Sequence, residues 1–376
     1  MNELHVTTGH ILALRLFDIA YSIDLVRAEA LWATHATGRT TRSRLTATPP
    51  KAMAFGVEPL TISLDPVSLP LDQLPPGWPP IEAVVTARLY DFGAVSLAIR
   101  VPTPNLAWAD YVGLLNAVDD AVGQASGTRV WEKLLAELRR VISPSLVRPT
   151  PSSVWEDYLF GVVQSFDSPF TAAEILQRVD LVPLLSGEQR VLSDGARTDL
   201  LRQRYSYYAD DLVVLTWDRA FIYEPRGDSD VADVLEVANA QLLQMRYYDE
   251  LLDDELPRMY DLVEATRSTW NLLAARRYAE LARKLYTLVA EVTELTEKVD
   301  NALQVTEDVY LARIYAAALD LYRVPTVSRA VQRKLAIIRD TYTALYDEAS
   351  SSRSEMMEAA ILLLIFVELV LAVLRH

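Results

Sequence analysis

The side chains that do chemistry are unevenly supplied in this chain: 51 Asp and Glu, four His and no Cys. The missing cysteines remove thiol nucleophiles, disulfides, iron–sulfur clusters and thiolate zinc sites together. His5 and His10 stand five residues apart in a segment that reads as a strand. That spacing sets them on opposite faces and makes a poor metal pair. His35 and His376 lie far from both, so no Ser–His–Asp arrangement can be drawn. No glycine-rich phosphate loop is present. Asp253-Asp254-Glu255 reads as the solvated face of a helix, and Asp210-Asp211 as a cap or turn. Paired carboxylates are the one catalytic device in ample supply, and for that reason no acid stands out. No catalytic, cofactor-binding or metal-ligating residue is assigned, no cofactor is expected, and the chain reads as non-enzymatic.

Two acids differ from the rest by their surroundings. Glu358 and Glu368 bracket an apolar run, Ala359 to Val367, which resumes from Leu369 to Leu374. The run is apolar all round a helix, approaches the about 20 residues that a bilayer requires, and has Arg353 and Arg375 at its ends. Glu368 at mid-helix costs about 3 kcal/mol, which Leu, Ile, Val and Phe at about −0.3 to −0.6 kcal/mol each offset. An acid at that depth marks a helix–helix contact or a polar path. The expectation is a membrane-type terminal helix; its rival is a core helix buried at an interface.

The elements that carry these residues fall into two halves. Residues 4–19 read as a strand, and Ser22 as the cap of a helix holding Leu25 and Trp32. Ile81–Tyr90 and Ala94–Ile99 are β-rich runs around Asp91-Phe92-Gly93, a hairpin whose turn residues are Asp91 and Gly93. Helices are predicted over 105–123 and 128–142, a strand over 155–163, and a second hairpin over 212–223. Beyond about residue 230 Gly and Pro nearly vanish, and long helices are predicted over 230–268, 270–304, 307–322 and 327–374. Pro257 is expected to interrupt the first near its middle. The predicted fold is α+β: an N-terminal α/β head with β-hairpins, then a C-terminal half of long, coiled-coil-like helices ending in the apolar helix. The expected divisions are 1–142, 143–228, 229–355 (a helical arm) and 356–376.

Leu281, Leu285, Leu288, Val292, Leu295, Val299 and Ala302 follow alternating steps of four and three, one narrow apolar seam on the arm. The seam packs against a helix of the same chain or of a partner, which includes a second copy. The net charge of −15 repels phosphate backbones, and Arg39, Arg42 and Arg44 read as a solvated loop, so nucleic acid is not an expected partner. A small-molecule substrate is not indicated either way. The first residues show no basic segment followed by an apolar one, so the bulk of the chain is expected to stay where it is made.

The stretch Leu89-Tyr90-Asp91-Phe92-Gly93-Ala94-Val95, with Met357-Glu358-Ala359 and Glu368-Leu369 spaced ten residues between the acids, resembles the required-for-meiotic-nuclear-division protein family, also called domain of unknown function 155. Tyr315, Tyr322, Arg329 and Leu335 sit in a stretch similar to that family's helical segment. The chain departs from the pattern where Ala359 replaces a Trp, and where a Phe–Trp–acid motif expected just before about residue 312 is missing. The resemblance implies a membrane-associated, coiled-coil-containing protein without established enzymatic activity. The expected function is a membrane-anchored scaffold or adaptor on the cytoplasmic face, binding a partner or itself through the arm. The alternatives are a channel- or transporter-like oligomer built on the terminal helix, and a soluble enzyme with an unrecognised site in the head.

Overall fold

The computed structural model describes residues 4–35, 40–42, 53–54, 57–69, 81–123, 128–150, 154–188, 190–227, 230–267, 304–305 and 308–341, with scattered helical positions at 280–294 and 343–365. The chain divides into two compact units, Met1–Tyr247 with Lys298–Pro325, and Tyr248–Glu297 with Thr326–His376.

In chain order the elements are β1 (His5–Asp18), β2 (Ala20–Ile23), α1 (Leu25–His35), β3 (Thr40–Arg42), β4 (Met53–Ala54), β5 (Leu60–Leu69), β6 (Ile81–Leu89), β7 (Ala94–Thr103) and β8 (Leu106–Ala107). There follow α2 (Trp108–Val122), α3 (Thr128–Ile142), β9 (Leu146–Pro149), β10 (Trp155–Phe166), α4 (Ala172–Arg178), α5 (Val182–Ser186), α6 (Asp194–Leu200), β11 (Gln203–Tyr205), β12 (Leu212–Leu215) and β13 (Arg219–Tyr223). Last come α7 (Val231–Arg267), β14 (Gln304–Val305) and α8 (Val309–Leu321). One sheet runs β11-β12-β13-β10-β1-β7-β6-β5-β3, with β8 joined to β1; β2 pairs β9, and β4 pairs β14. The β10–β13 pair is parallel, and the other pairs of this sheet are antiparallel.

β1 is the middle of this sheet, and its sequence says why. Ile11 to Leu16 are all buried, so both faces are covered and the strand reads as a nearly unbroken apolar run. One face, with Ile11, Ala13, Leu97, Ile99, Leu159 and Phe221, joins a core with Tyr111, Leu115, Trp131 and Leu184 from the helices α2, α3 and α5. The opposite face meets the first half of α7 through polar grips. Arg88 of β6 bonds Asp233 and Glu236, each at 2.8 Å, and the Tyr90 hydroxyl donates to Glu236 at 2.9 Å. Asp18 accepts from Thr150 at 2.7 Å and from Gln244 at 2.8 Å, and Arg246 bonds Glu156 of β10 at 2.5 Å. Tyr322, just past α8, packs its ring against Tyr158 on the same face, at 5.5 Å between centroids.

Local chemistry sets the element ends. Gly93 turns β6 into β7 with φ +96°, donating its N–H to the Tyr90 carbonyl at 3.2 Å. A side chain there would overlap the Ala20 carbonyl oxygen as well as strain the backbone. Asp24, and not Ser22, caps α1: its carboxylate accepts the Arg27 N–H at 3.0 Å, while Ser22 lies in β2 opposite Val147. Thr171 and Glu174 form a capping box on α4. Pro257 sits inside α7, which continues through it to Arg267.

In the second unit Tyr248, Leu252, Met259, Val331 and Ile338 are buried. Lys334 bonds Asp249 at 2.6 Å and Asp253 at 2.7 Å. Of the predicted seam, Val292 is described and is buried; Leu281, Leu285, Leu288, Leu295, Val299 and Ala302 lie outside the described residues.

The terminal-helix expectation is corrected. Among the described residues no helix is long and apolar enough to cross a membrane. The physical reason is length: Ala359 to Val367 gives nine apolar residues before Glu368, which even as an unbroken helix would reach about 13 Å against a hydrocarbon core of about 30 Å. Ile361, Leu362 and Ile365 are described there, helical and exposed, while Glu358 and Glu368 lie outside the described residues. With that helix go the readings that rested on it: the placement at the cytoplasmic face of a membrane, the membrane-anchored scaffold, and the channel-like oligomer.

Candidate functional site

A cleft of about 540 Å³ opens in the first unit where four elements converge beside β1. Arg15 comes from β1, Asp119, Asp120 and Val122 from the last turn of α2, Trp131 from α3, Asp157 from β10, and Asp218 and Arg219 from the turn between β12 and β13. Four carboxylates thus face two guanidinium groups.

Each cation is held by protein groups. Arg15 and Asp157 are direct cross-strand partners in the β1–β10 ladder, and their side chains meet at 3.3 Å. The same nitrogen donates to the Val122 carbonyl at 3.2 Å, one of the carbonyls that the end of α2 leaves without an intrahelical partner. The guanidinium lies between two indoles, 4.3 Å from the Trp155 ring and 5.3 Å from that of Trp131. Trp131 also donates its N–H to Val122 at 2.7 Å, which fixes the ring on the cleft wall. Burial lowers the Arg15 pKa, and the charges of Asp157 and Asp119 counter it.

Arg219 is the second hub. One of its nitrogens donates to Asn116 at 2.7 Å and to the Leu184 carbonyl at 2.9 Å, and the other pairs with Asp119. Gly187, at φ +67°, ends α5 so close to this guanidinium that a side chain would collide with it. The turn that presents Arg219 is closed by Thr216, whose N–H donates to the Arg219 carbonyl at 2.8 Å. The Tyr158 hydroxyl donates to the same carbonyl at 2.9 Å. Asp218 accepts from the Thr216 hydroxyl at 3.4 Å. Burial raises the pKa of Asp218, with Arg219 opposing. Burial raises that of Asp157 too, against the pull of Arg15.

Among the described residues no group of three or more His, Asp or Glu side chains could hold a metal ion. Chemically the cleft offers acidic oxygens and two paired cations, with the Trp131 indole packed in its wall. None of these residues is marked in the sequence. Arg15 and Asp157 stand 142 positions apart, and Asp119 and Arg219 100 apart. A pairing signal existed only in the ladder register, which needs the partner strand to be known. The residues named from sequence lie elsewhere: Asp91 and Gly93 in the β6–β7 turn, and Val292 in the second unit.

A family model described as "Uncharacterized protein MJ0711, N-terminal domain" matches residues 8–230, a stretch that contains every residue of the cleft. The uncharacterized protein MJ0711 of Methanocaldococcus jannaschii is 24% identical over 193 residues, 51% of this chain and 58% of that protein. The chain thus spans little more than half of that relative. No solved structure matches. What stands of the family reading is membership of a family of unknown function, under a description other than the meiotic one.

Proposed function

The chain belongs to the family described as Uncharacterized protein MJ0711, N-terminal domain, and from that premise we propose that its head is a binding domain for a small basic molecule, one bearing ammonium or guanidinium groups. The carrying observation is that four carboxylates line the cleft against two guanidinium groups, and both guanidinium groups are already paired, Arg15 with Asp157 and Arg219 with Asp119. A cation entering there meets an acidic wall that includes Asp218. Low dielectric in the cleft strengthens that attraction relative to water.

Calorimetric titration of the intact protein with spermidine and with arginine tests the reading, with glutamate and ATP as the opposite charge. Spermidine or arginine binds with a Kd below about 1 mM, or about −4 kcal/mol, and Asp218→Asn weakens it at least about tenfold. Binding of ATP in preference to the amines, or amine binding untouched by Asp218→Asn, overturns it.

A deeper kinship with the required-for-meiotic-nuclear-division proteins is supported by the Leu89–Val95 stretch, which falls inside the matched residues. For the arm, the support favours a seam packed within the chain: Val292 is buried in a single copy while Thr293 and Glu294 beside it are exposed. Sedimentation velocity is expected to give one monomer mass as concentration rises. A dimer that dissociates on Val292→Asp would reverse this.

A further inference from the structure

β11 closes one side of the large sheet, and among the described residues no strand pairs with its outer edge. Open strand edges are templates for other chains, and proteins usually guard them with charge. Here the guard is specific. Arg204 in the strand and Arg202 in the bend that leads into it are both exposed. They flank a hollow of about 480 Å³. Neither takes part in an ion pair among the described residues. The one acid lining that hollow, Asp199, offsets part of their charge. Beside the strand stand Tyr207 and Tyr208, 64% and 46% exposed, their rings in T-shaped contact at 4.8 Å. Their backbone is fixed by Asp211, which accepts both of their N–H groups, at 2.7 and 3.1 Å.

We infer that this edge receives an extended acidic segment of another protein, added as a strand alongside β11. Backbone hydrogen bonds give such additions their affinity, and alternate side chains their specificity. Carboxylates of the incoming segment meet Arg204 along the strand and Arg202 at its start, where the guanidinium fork binds a carboxylate through two parallel hydrogen bonds. The exposed tyrosines supply contact area of the kind that dominates protein interfaces. Charge excludes the other occupants. A second copy paired edge to edge would set arginine against arginine, which destabilises a sheet pair. A nucleic acid carries a charge at every phosphate and meets the field of a chain with net charge −15, whereas a short peptide presents few charges to it. The proposal is independent of the cleft.

The test is fluorescence anisotropy of the intact protein with a fluorescein-labelled peptide of alternating Glu and Val, beside a Lys–Val counterpart and a labelled oligouridylate. Saturable binding of the Glu–Val peptide alone is expected. The double substitution Arg202→Glu with Arg204→Glu weakens it at least about tenfold and transfers affinity to the Lys–Val peptide. Circular dichroism checks that the variant is folded, and Arg204→Gln, a milder change at an exposed position, is expected to weaken binding about threefold. No binding of the Glu–Val peptide, binding indifferent to both variants, or tighter binding of the oligouridylate would each overturn the inference.

Discussion

Replacing Glu156 by Gln is expected to stabilise the first unit at pH 8 and to leave it nearly unchanged at pH 4. Glu156 is 8% exposed on the sheet face beneath α7, and Arg246 bonds it at 2.5 Å. Burial outweighs that attraction, because the Arg246 side chain is half in water and its charge is screened. The carboxyl group therefore holds its proton up to about 7, where an unfolded chain releases it near 4.5. Between those values the folded state binds more protons than the unfolded, so stability falls as pH rises. This contribution is whole below about 4.5 and gone above about 7. The difference amounts to about 3 kcal/mol. Gln is close in shape to the protonated acid and does not ionise, so the variant gains up to about 3 kcal/mol over the wild type at pH 8, about 1 kcal/mol at pH 5 and nearly nothing at pH 4. Asp18, raised by burial to about 6, adds a slope of the same sign at lower pH, and both proteins share it. Urea unfolding followed by tryptophan emission isolates the right unit, since Trp32, Trp78, Trp108, Trp131, Trp155 and Trp217 lie in the first unit and Trp270 in the second. A variant less stable than the wild type at pH 8 would mean that the Arg246 pair outweighs desolvation, and the reasoning would fail.

Three further substitutions probe the frame of the cleft and its approaches. Gly93→Ala is expected to cost about 3 kcal/mol or more in the same unfolding assay, because the new methyl group meets the Ala20 carbonyl at a positive φ. Arg219→Met removes the tie between α2, α5 and β13 and is expected to cost about 2–3 kcal/mol, discounted from a fully buried pair because Asp119 is 41% exposed. Thr171→Ala opens the capping box of α4 and should lower stability by about 1 kcal/mol, with faster amide exchange confined to Glu174 and its neighbours.

What sequence could disclose follows the range of the interactions. The β6–β7 hairpin was legible because Asp-Phe-Gly between two β-branched runs is a local signal, and β1 because a strand covered on both faces must be apolar throughout. The cap of α1 was misplaced by two residues: Ser22 has the right chemistry, but pairing with Val147 draws it into β2 and leaves the task to Asp24. Pro257 was expected to interrupt its helix, yet α7 runs through it: a proline removes one hydrogen bond, and the turns on either side carry the helix on. The terminal run was overread because apolar character was weighed above uninterrupted length. The cleft escaped altogether. Asp119, Asp157 and Asp218 are three among 51 acids, and only the end of α2, the ladder and the β12–β13 turn distinguish them.

The first unit is not contiguous: it leaves the chain at Tyr247 and recovers Lys298–Pro325. On a ribosome, then, the strands and the helices α1–α6 emerge long before the residues that finish their fold. Until about residue 325 is made, the sheet face that carries Tyr158 and Phe160 has no Tyr322 to close over it. A fragment cut where the family match stops, at residue 230, keeps the entire cleft yet loses the grips on Arg88, Asp18 and Glu156. Such a fragment would expose an aromatic and carboxylate-bearing face and aggregate, so the boundary of kinship is not a boundary at which this protein can be cut.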